Sequence, residues 1–199
     1  MRKSLLTLLC LSMSYFLMAQ ENVKQKEIGI VFSNLDNFGL TFKTGTNKSL
    51  WRFNTLFISG SNSEVPGDSV VSKRSNLGFG FKIGREYRTE IKENIELRFG
   101  ADLSFTYSQS KSEYDDKTID NFDQIIEHTT YRPGLNLVLG LNYMLSENIL
   151  IGAELLPGFT YMMRESIEKN NGEVIKRDVS GFNFGLSNKS VLLSLAYRF

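Results

Sequence analysis

Over residues 95–107 apolar and polar positions alternate without a break. Ile95, Leu97, Phe99, Ala101, Leu103, Phe105 and Tyr107 take the odd numbers, and Glu96, Arg98, Gly100, Asp102, Ser104 and Thr106 the even ones. A helix would mix these two sets, whereas a strand places them on opposite faces. The same alternation runs through 131–145, 77–84 and 149–155. With the turn signals between them, the chain predicts eight strands near 27–33, 37–44, 48–59, 75–88, 94–108, 129–145, 148–162 and 178–199. Connections 44–47, 89–93 and 146–147 are short, while 60–74, 109–128 and 163–177 are long and polar; 34–36 is short on the long-connection side. The parity of the last strand changes between Leu186 and Val191. That change predicts a bulge or kink around Asn188 or, with an odd strand count, a separate short hairpin.

A strand with one apolar face suits a soluble barrel, apolar inside, or a membrane barrel, apolar outside. The aromatic residues separate the two. Of eight tyrosines, six fall on the apolar face near a strand end. Tyr87, Tyr143, Tyr197 and the single tryptophan, Trp51, sit at the short-turn end, and Tyr107, Tyr131 and Tyr161 at the other. Tyr131 and Tyr143 are separated by roughly 30 Å along the barrel axis at a tilt of about 40°, the height of an apolar band with its interfaces. The fold class expected is all-β: a closed antiparallel up-and-down transmembrane β-barrel of eight strands, as a monomer.

The opposite face carries Lys43, Arg52, Lys82, Glu86, Glu96, Arg98, Asp102 and Glu154 among small polar residues. Eight strands enclose a space that side chains fill, so these charges are expected to pair in a plugged polar lumen. An ion-conducting path would use the same residues in a wider barrel. Arg85 alone brings a cation to the lipid-facing parity, close enough to the short-turn end to snorkel beside Tyr87.

The first residues change the compartment. Arg2 and Lys3 precede an apolar run over 5–18, and Ala19 offers a small residue for cleavage, so 1–19 reads as a secretory signal peptide and 20–199 as the barrel domain. Cys10 lies inside that leader with Leu9 before it, a poor setting for lipidation. Arg2 and Lys3 leave with the leader, so the mature chain carries 21 of the 23 basic residues against 22 acidic ones. Near neutrality offers no footprint for nucleic acid. No cysteine remains, which excludes disulfides and thiolate chemistry.

Little catalytic chemistry is left. His128 is the only histidine. Near Ser108 on the preceding strand, and near Asp123 or Glu127, it could complete a Ser-His-acid arrangement at the long-connection rim. The test of that idea is whether Ser108 Oγ reaches a His128 ring nitrogen. The acidic stretch 109–128 lacks the spacing and glycine of a calcium loop and reads as solvated. The glycines of GFGFKIG have the wrong spacing for a phosphate loop and suit a narrow lumen. No metal or cofactor is expected.

The Ala19-Gln20 leader junction, NFGLTFKTG, GFGFKIGREYRTEIKENIELRFGADLSF and the terminal LAYRF resemble the outer-membrane β-barrel domain family of Gram-negative bacteria, particularly small Bacteroidetes-type barrels. The resemblance implies residence in the cell outer membrane, contact with its lipid and lipopolysaccharide, and a non-enzymatic role in surface binding or membrane integrity. A lipid A-modifying enzyme using His128, a narrow channel and an export-assembly component are the alternatives. It also implies that Tyr197 and Phe199 form the signal read by the barrel-assembly machinery. Deleting Phe199 is then expected to lower insertion in cells far more than it lowers the stability of barrels refolded in detergent. Equal losses in the two settings would leave Phe199 with a packing role only.

Overall fold

The computed structural model describes residues 24–34, 37–66, 70–116, 122–186 and 190–199. Ten antiparallel strands account for nearly all of them: β1 (Lys24–Asn34), β2 (Asn37–Thr46), β3 (Ser49–Pro66), β4 (Val70–Lys92), β5 (Ile95–Asp116), β6 (Phe122–Met144), β7 (Ile149–Leu155), β8 (Gly158–Asn170), β9 (Glu173–Gly185) and β10 (Val191–Arg198). Each of β1 to β5 pairs with the next, β5 pairs with β6, β6 with β7, β7 with β10, and β10 with β1. The result is a closed ring of eight strands, an antiparallel transmembrane barrel. Phe199 extends the closing pair, its N–H and carbonyl bonding to the carbonyl and N–H of Lys26 at 2.9 and 3.0 Å.

The ten segments reduce to eight because the seventh strand breaks at Leu156-Pro157 into β7 and β8, and the eighth into β9 and β10. Proline at 157 has no N–H to give to the ladder. β6 accommodates both halves, pairing with β7 over 139–144 and with β8 over 124–136. In the eighth strand the interruption follows Gly185, whose φ of +119° glycine tolerates best. The kink expected around Asn188 lies outside the described residues.

The long polar connections anticipated at 60–74, 109–128 and 163–177 are largely strand. β3 and β4 pair out to Pro66 and Val71, β5 and β6 out to Asp116 and Phe122, and β8 and β9 out to Asn170 and Glu173. Beyond the apolar band both faces of a hairpin meet water, so alternation disappears while the backbone ladder continues. The β8–β9 turn is the two-residue Asn171-Gly172, both at positive φ (47° and 85°), which matches the twist of a hairpin.

Register fixes the shape of the ring. From Ile28, moving strand to strand through Phe42, Phe53, Ile83 and Leu103 leads to Leu135 on β6. Moving the other way, through Tyr197 and Ile149, leads to Leu145 just past the end of β6. The sheet closes with a stagger of ten residues, from 135 to 145, and for eight strands this tilts them by roughly 40°.

Burial follows the alternation. β7 and β10 expose one residue and bury the next, with Ile151, Leu155, Leu193 and Leu195 outward and Leu150, Glu154, Leu192 and Ser194 inward. Leu139, on the outer surface of β6 between Tyr131 and Tyr143, is 51% exposed. Leu139→Arg is expected to cost about 2 to 4 kcal/mol in a bilayer, measured by reversible unfolding from vesicles. Asn136→Arg, on the inner face, should depart from that value, and an equally harmless outcome at both positions would contradict the lipid-facing assignment.

Candidate functional site

The inner face of the lower half is built from charges. Arg52 on β3 reaches across the ring, its Nη2 2.6 Å from Glu154 Oε2 on β7, the strand diametrically opposite. Its Nη1 lies 2.9 Å from Glu86 Oε2, and its Nε 3.1 Å from Asp102 Oδ1, an ion pair whose angle is too bent for a hydrogen bond. Glu86 is the hub. Its Oε2 also accepts from Lys43 Nζ at 2.9 Å, its Oε1 lies 2.6 Å from Arg88, and Arg98 stands 3.7 Å away. Arg98 continues to Glu154 at 3.3 Å. Lys82 is buried on the same face, within the attraction of Asp102.

A second group closes the lower end. Arg88 pairs with Glu27 on β1 at 2.6 Å and with Glu96 at 3.4 Å. Arg198 on β10 joins the same two carboxylates at 2.9 and 2.8 Å, and Asn142 donates to Glu96 at 3.0 Å. Every residue of the eight-member charge set drawn from the sequence therefore stands on the inner face. Glu27, Arg88 and Arg198 complete the network, and the alternation of β4 through Lys82, Gly84, Glu86 and Arg88 carried the signal for Arg88.

Glycine makes room for these long side chains. A Cβ at Gly152 would stand 2.7 Å from Arg98 Nη2 and 2.8 Å from Asn142 Oδ1, so any side chain there displaces the guanidinium. Above the charges, Val138, Leu156 and Leu192 form a buried apolar cluster inside the lumen, with Val31 on the β1 wall. These inward apolar residues had no signal, because the alternation assigns that face to polar groups.

On the outer face, Trp51, Tyr87, Tyr143 and Tyr197 are exposed near the short-turn end, and Tyr131 and Tyr161 near the other. Tyr107 sits beside Phe79 and Tyr131, with ring centroids 5.4 Å from each. Tyr197 stacks on Phe199 at 6.3 Å. Arg85 lies 5.1 Å over the Trp51 ring and donates to Ser49 Oγ at 2.7 Å, both on β3.

The catalytic candidates do not assemble. The cross-strand neighbours of His128 are Ser110 on β5 and Ser166 on β8, and Ser108 faces Thr130. Both serines and His128 line one cavity of about 290 Å³. His128 Nδ1 is buried without a hydrogen-bond partner among the described residues, and no bond from Ser108 reaches the ring. Asp123 lies opposite Asp115 in the β5–β6 ladder, and its side chain is outside the described residues. Glu127 accepts from Gln109 Nε2 at 2.5 Å, not from the histidine. Among the described residues no group of three His, Cys, Asp or Glu could hold a metal ion.

Residues 4–199 match the model of the "Putative OmpA-OmpF-like porin family". The chain belongs to the OmpA-OmpF-like porin family. It is an outer-membrane protein. No curated protein matches it. Among solved structures it is similar to a major outer membrane protein of Thermus thermophilus, at 14% identity and a TM-score of 0.45 over 89% of this chain and all of that one. Ail, the attachment invasion locus protein of Yersinia pestis, is 14% identical with a TM-score of 0.36, over 90% of this chain and all of Ail. The ferric yersiniabactin uptake receptor FyuA of Yersinia pestis is 13% identical with a TM-score of 0.48 over 80% of this chain, which spans 25% of that receptor's length.

For this OmpA-OmpF-like barrel, the pairing in the lumen sets a stability expectation. Glu86→Gln leaves Lys43, Arg52 and Arg88 short of a buried anion, and removal of one partner from such a pair costs about 3 to 5 kcal/mol. Glu113→Gln removes a carboxylate from a half-exposed pair with Lys111 and should cost under about 1 kcal/mol. Unfolding of both variants from detergent measures the difference, and equal small losses would show that the lumen network adds nothing.

Proposed function

We propose that this protein is a non-enzymatic surface barrel whose lumen is closed to ions and whose long hairpins carry its contacts outside the cell. The observation that carries this reading is the Arg52–Glu154 pair, which crosses from β3 to the opposite strand β7 with both side chains buried. Together with the pairs around Glu86 and Glu96, it leaves the narrow section no continuous aqueous path. The apolar cluster of Val138, Leu156 and Leu192 adds a second obstacle above it.

The rigid lower ring then serves as a base for display. The β3–β4, β5–β6 and β8–β9 hairpins rise from it as continuous ladders. Binding residues gather on exposed segments held by a rigid scaffold. Outer-membrane lipid and lipopolysaccharide surround the band, the barrel-assembly machinery inserts the chain, and the protein acts as a monomer. Hydrolysis of lipid is disfavoured because His128 has neither Ser108 nor Glu127 as a hydrogen-bond partner.

Planar-bilayer recording tests the closed lumen. The wild-type barrel is expected to show no steady conductance, and Arg52→Ala, which removes the group spanning the ring, to show open steps. Regular steps from the wild type would make the protein a channel and overturn this reading.

A further inference from the structure

The upper half of the barrel is not closed as the lower half is. β3 runs from Asn54, its last residue paired with β2, to Pro66 beside β4 alone, and β9 pairs with β8 alone. Among the described residues neither strand has a neighbour on its other side, because the β1–β2 hairpin stops at Asn34 and Asn37. A lateral opening therefore separates β3 from β9. With a stagger of ten residues over eight strands, each step round the ring lifts the level by a little over one residue. That puts the last described pair of the hairpin, Asn34 and Asn37, about three residues, or roughly 8 Å, below the level of Tyr107, Tyr131 and Tyr161. The lower part of the opening thus lies within the outer leaflet.

Three features converge on it. The rim is apolar: Ile58 on β3 and Phe182 and Phe184 on β9 are 84%, 70% and 77% exposed, more than any other large apolar side chain among the described residues. The chamber behind it is cationic. Arg132 and Arg164, on the facing inner sides of β6 and β8, line the same 290 Å³ cavity as His128 and as Ser59 of the β3 rim. The two guanidiniums repel one another, and among the described residues no carboxylate pairs with either; Arg164 Nε has only Thr130 Oγ1 at 3.4 Å. Finally, a bare strand edge does not face hydrocarbon, so water or an amphiphile must occupy the opening and connect it to the chamber.

We propose that the chamber binds the carboxylate of a single-chain fatty acid, whose chain lies in the opening between β3 and β9 and reaches the outer leaflet. Guanidinium forks match a carboxylate in plane and charge. The serine and threonine hydroxyls around them supply further donors. The cavity is at the small end of ligand pockets, room for one head and the first carbons of one chain, while the apolar rim takes the rest. The apolar cluster below seals the chamber from the ion-pair network, so the site is a dead end entered from the side. This goes beyond display by the outer hairpins and does not depend on it.

The full-length mature barrel in phosphatidylcholine vesicles, labelled with a palmitate analogue carrying a diazirine near its carboxylate, tests the proposal. Saturable labelling is expected on the inner face at 130–132 and 160–164, mapped by mass spectrometry, and competed by palmitate but not by inorganic phosphate. The double variant R132Q/R164Q should lose at least tenfold in labelling there. G181W should lose labelling as well, because a Cβ at Gly181 on the inner face of β9 meets nothing within 4 Å and a large side chain can fill the mouth without disturbing the fold. Both variants are checked for folding by heat-shifted gel mobility. Labelling confined to outward residues, labelling unchanged by either folded variant, or equal competition by phosphate would each overturn the proposal, the last by showing a plain anion site. None of these outcomes bears on conductance.

Discussion

Inside hydrocarbon a backbone N–H or C=O without a partner costs several kcal/mol, and a sheet meets that constraint only by closing on itself. The pairing of β1 with β10, finished by the reciprocal bonds between Lys26 and Phe199, is where this chain satisfies it. Much else follows from that seam. Eight strands closed with a stagger of ten leave a lumen no wider than the side chains that fill it. The outward face must be apolar, so the polar residues of an alternating sequence are forced into that narrow space. Charges confined there have to meet one another: Arg52 pairs with Glu86 on the next strand and with Glu154 on the opposite wall.

The same constraint lapses above the apolar band. Once water can satisfy a strand edge, closure is no longer obligatory, and here the β1–β2 hairpin ends early while six strands continue. β8 and β9 can then lean away as a hairpin in which β9 is exposed on both faces, while β8 keeps its inner side half-buried. The barrel is thus two structures on one set of strands: a closed, internally cross-linked ring below and an open, solvated cup above. Stability belongs mainly to the first and access to the second.

The ring was legible in the amino-acid order because burial imposes a period of two, and both the apolar set of 95–107 and its polar complement obey it. The charged lumen was legible for the same reason, and Arg88 and Arg198 stand at the ends of the alternating runs of β4 and β10, whereas Glu27, at the start of its run, had too few alternating neighbours to stand out. The upper hairpins were hidden. Strands wetted on both faces have no apolar register, so Glu113 and Lys169 looked like loop residues. Even there Asn171-Gly172 held a turn signal, masked by the polarity on either side of it. The lateral opening could not be read at all, since it arises from unequal strand lengths summed round a staggered ring. The surroundings of His128 depend on register that only the ladder supplies: Ser110 and Ser166 stand opposite it, and Ser108 one pair further along the same face.

Amide hydrogen exchange of the barrel in lipid vesicles tests most directly the claim of a closed ring beneath an open cup. Amides of 28–32 and 193–198 should be uniformly protected, because both edges of these strands are paired. Along 173–185 protection should alternate, slow where the N–H points to β8 and fast where it points away from it. Fast exchange in β10, or unbroken protection along β9, would contradict the account.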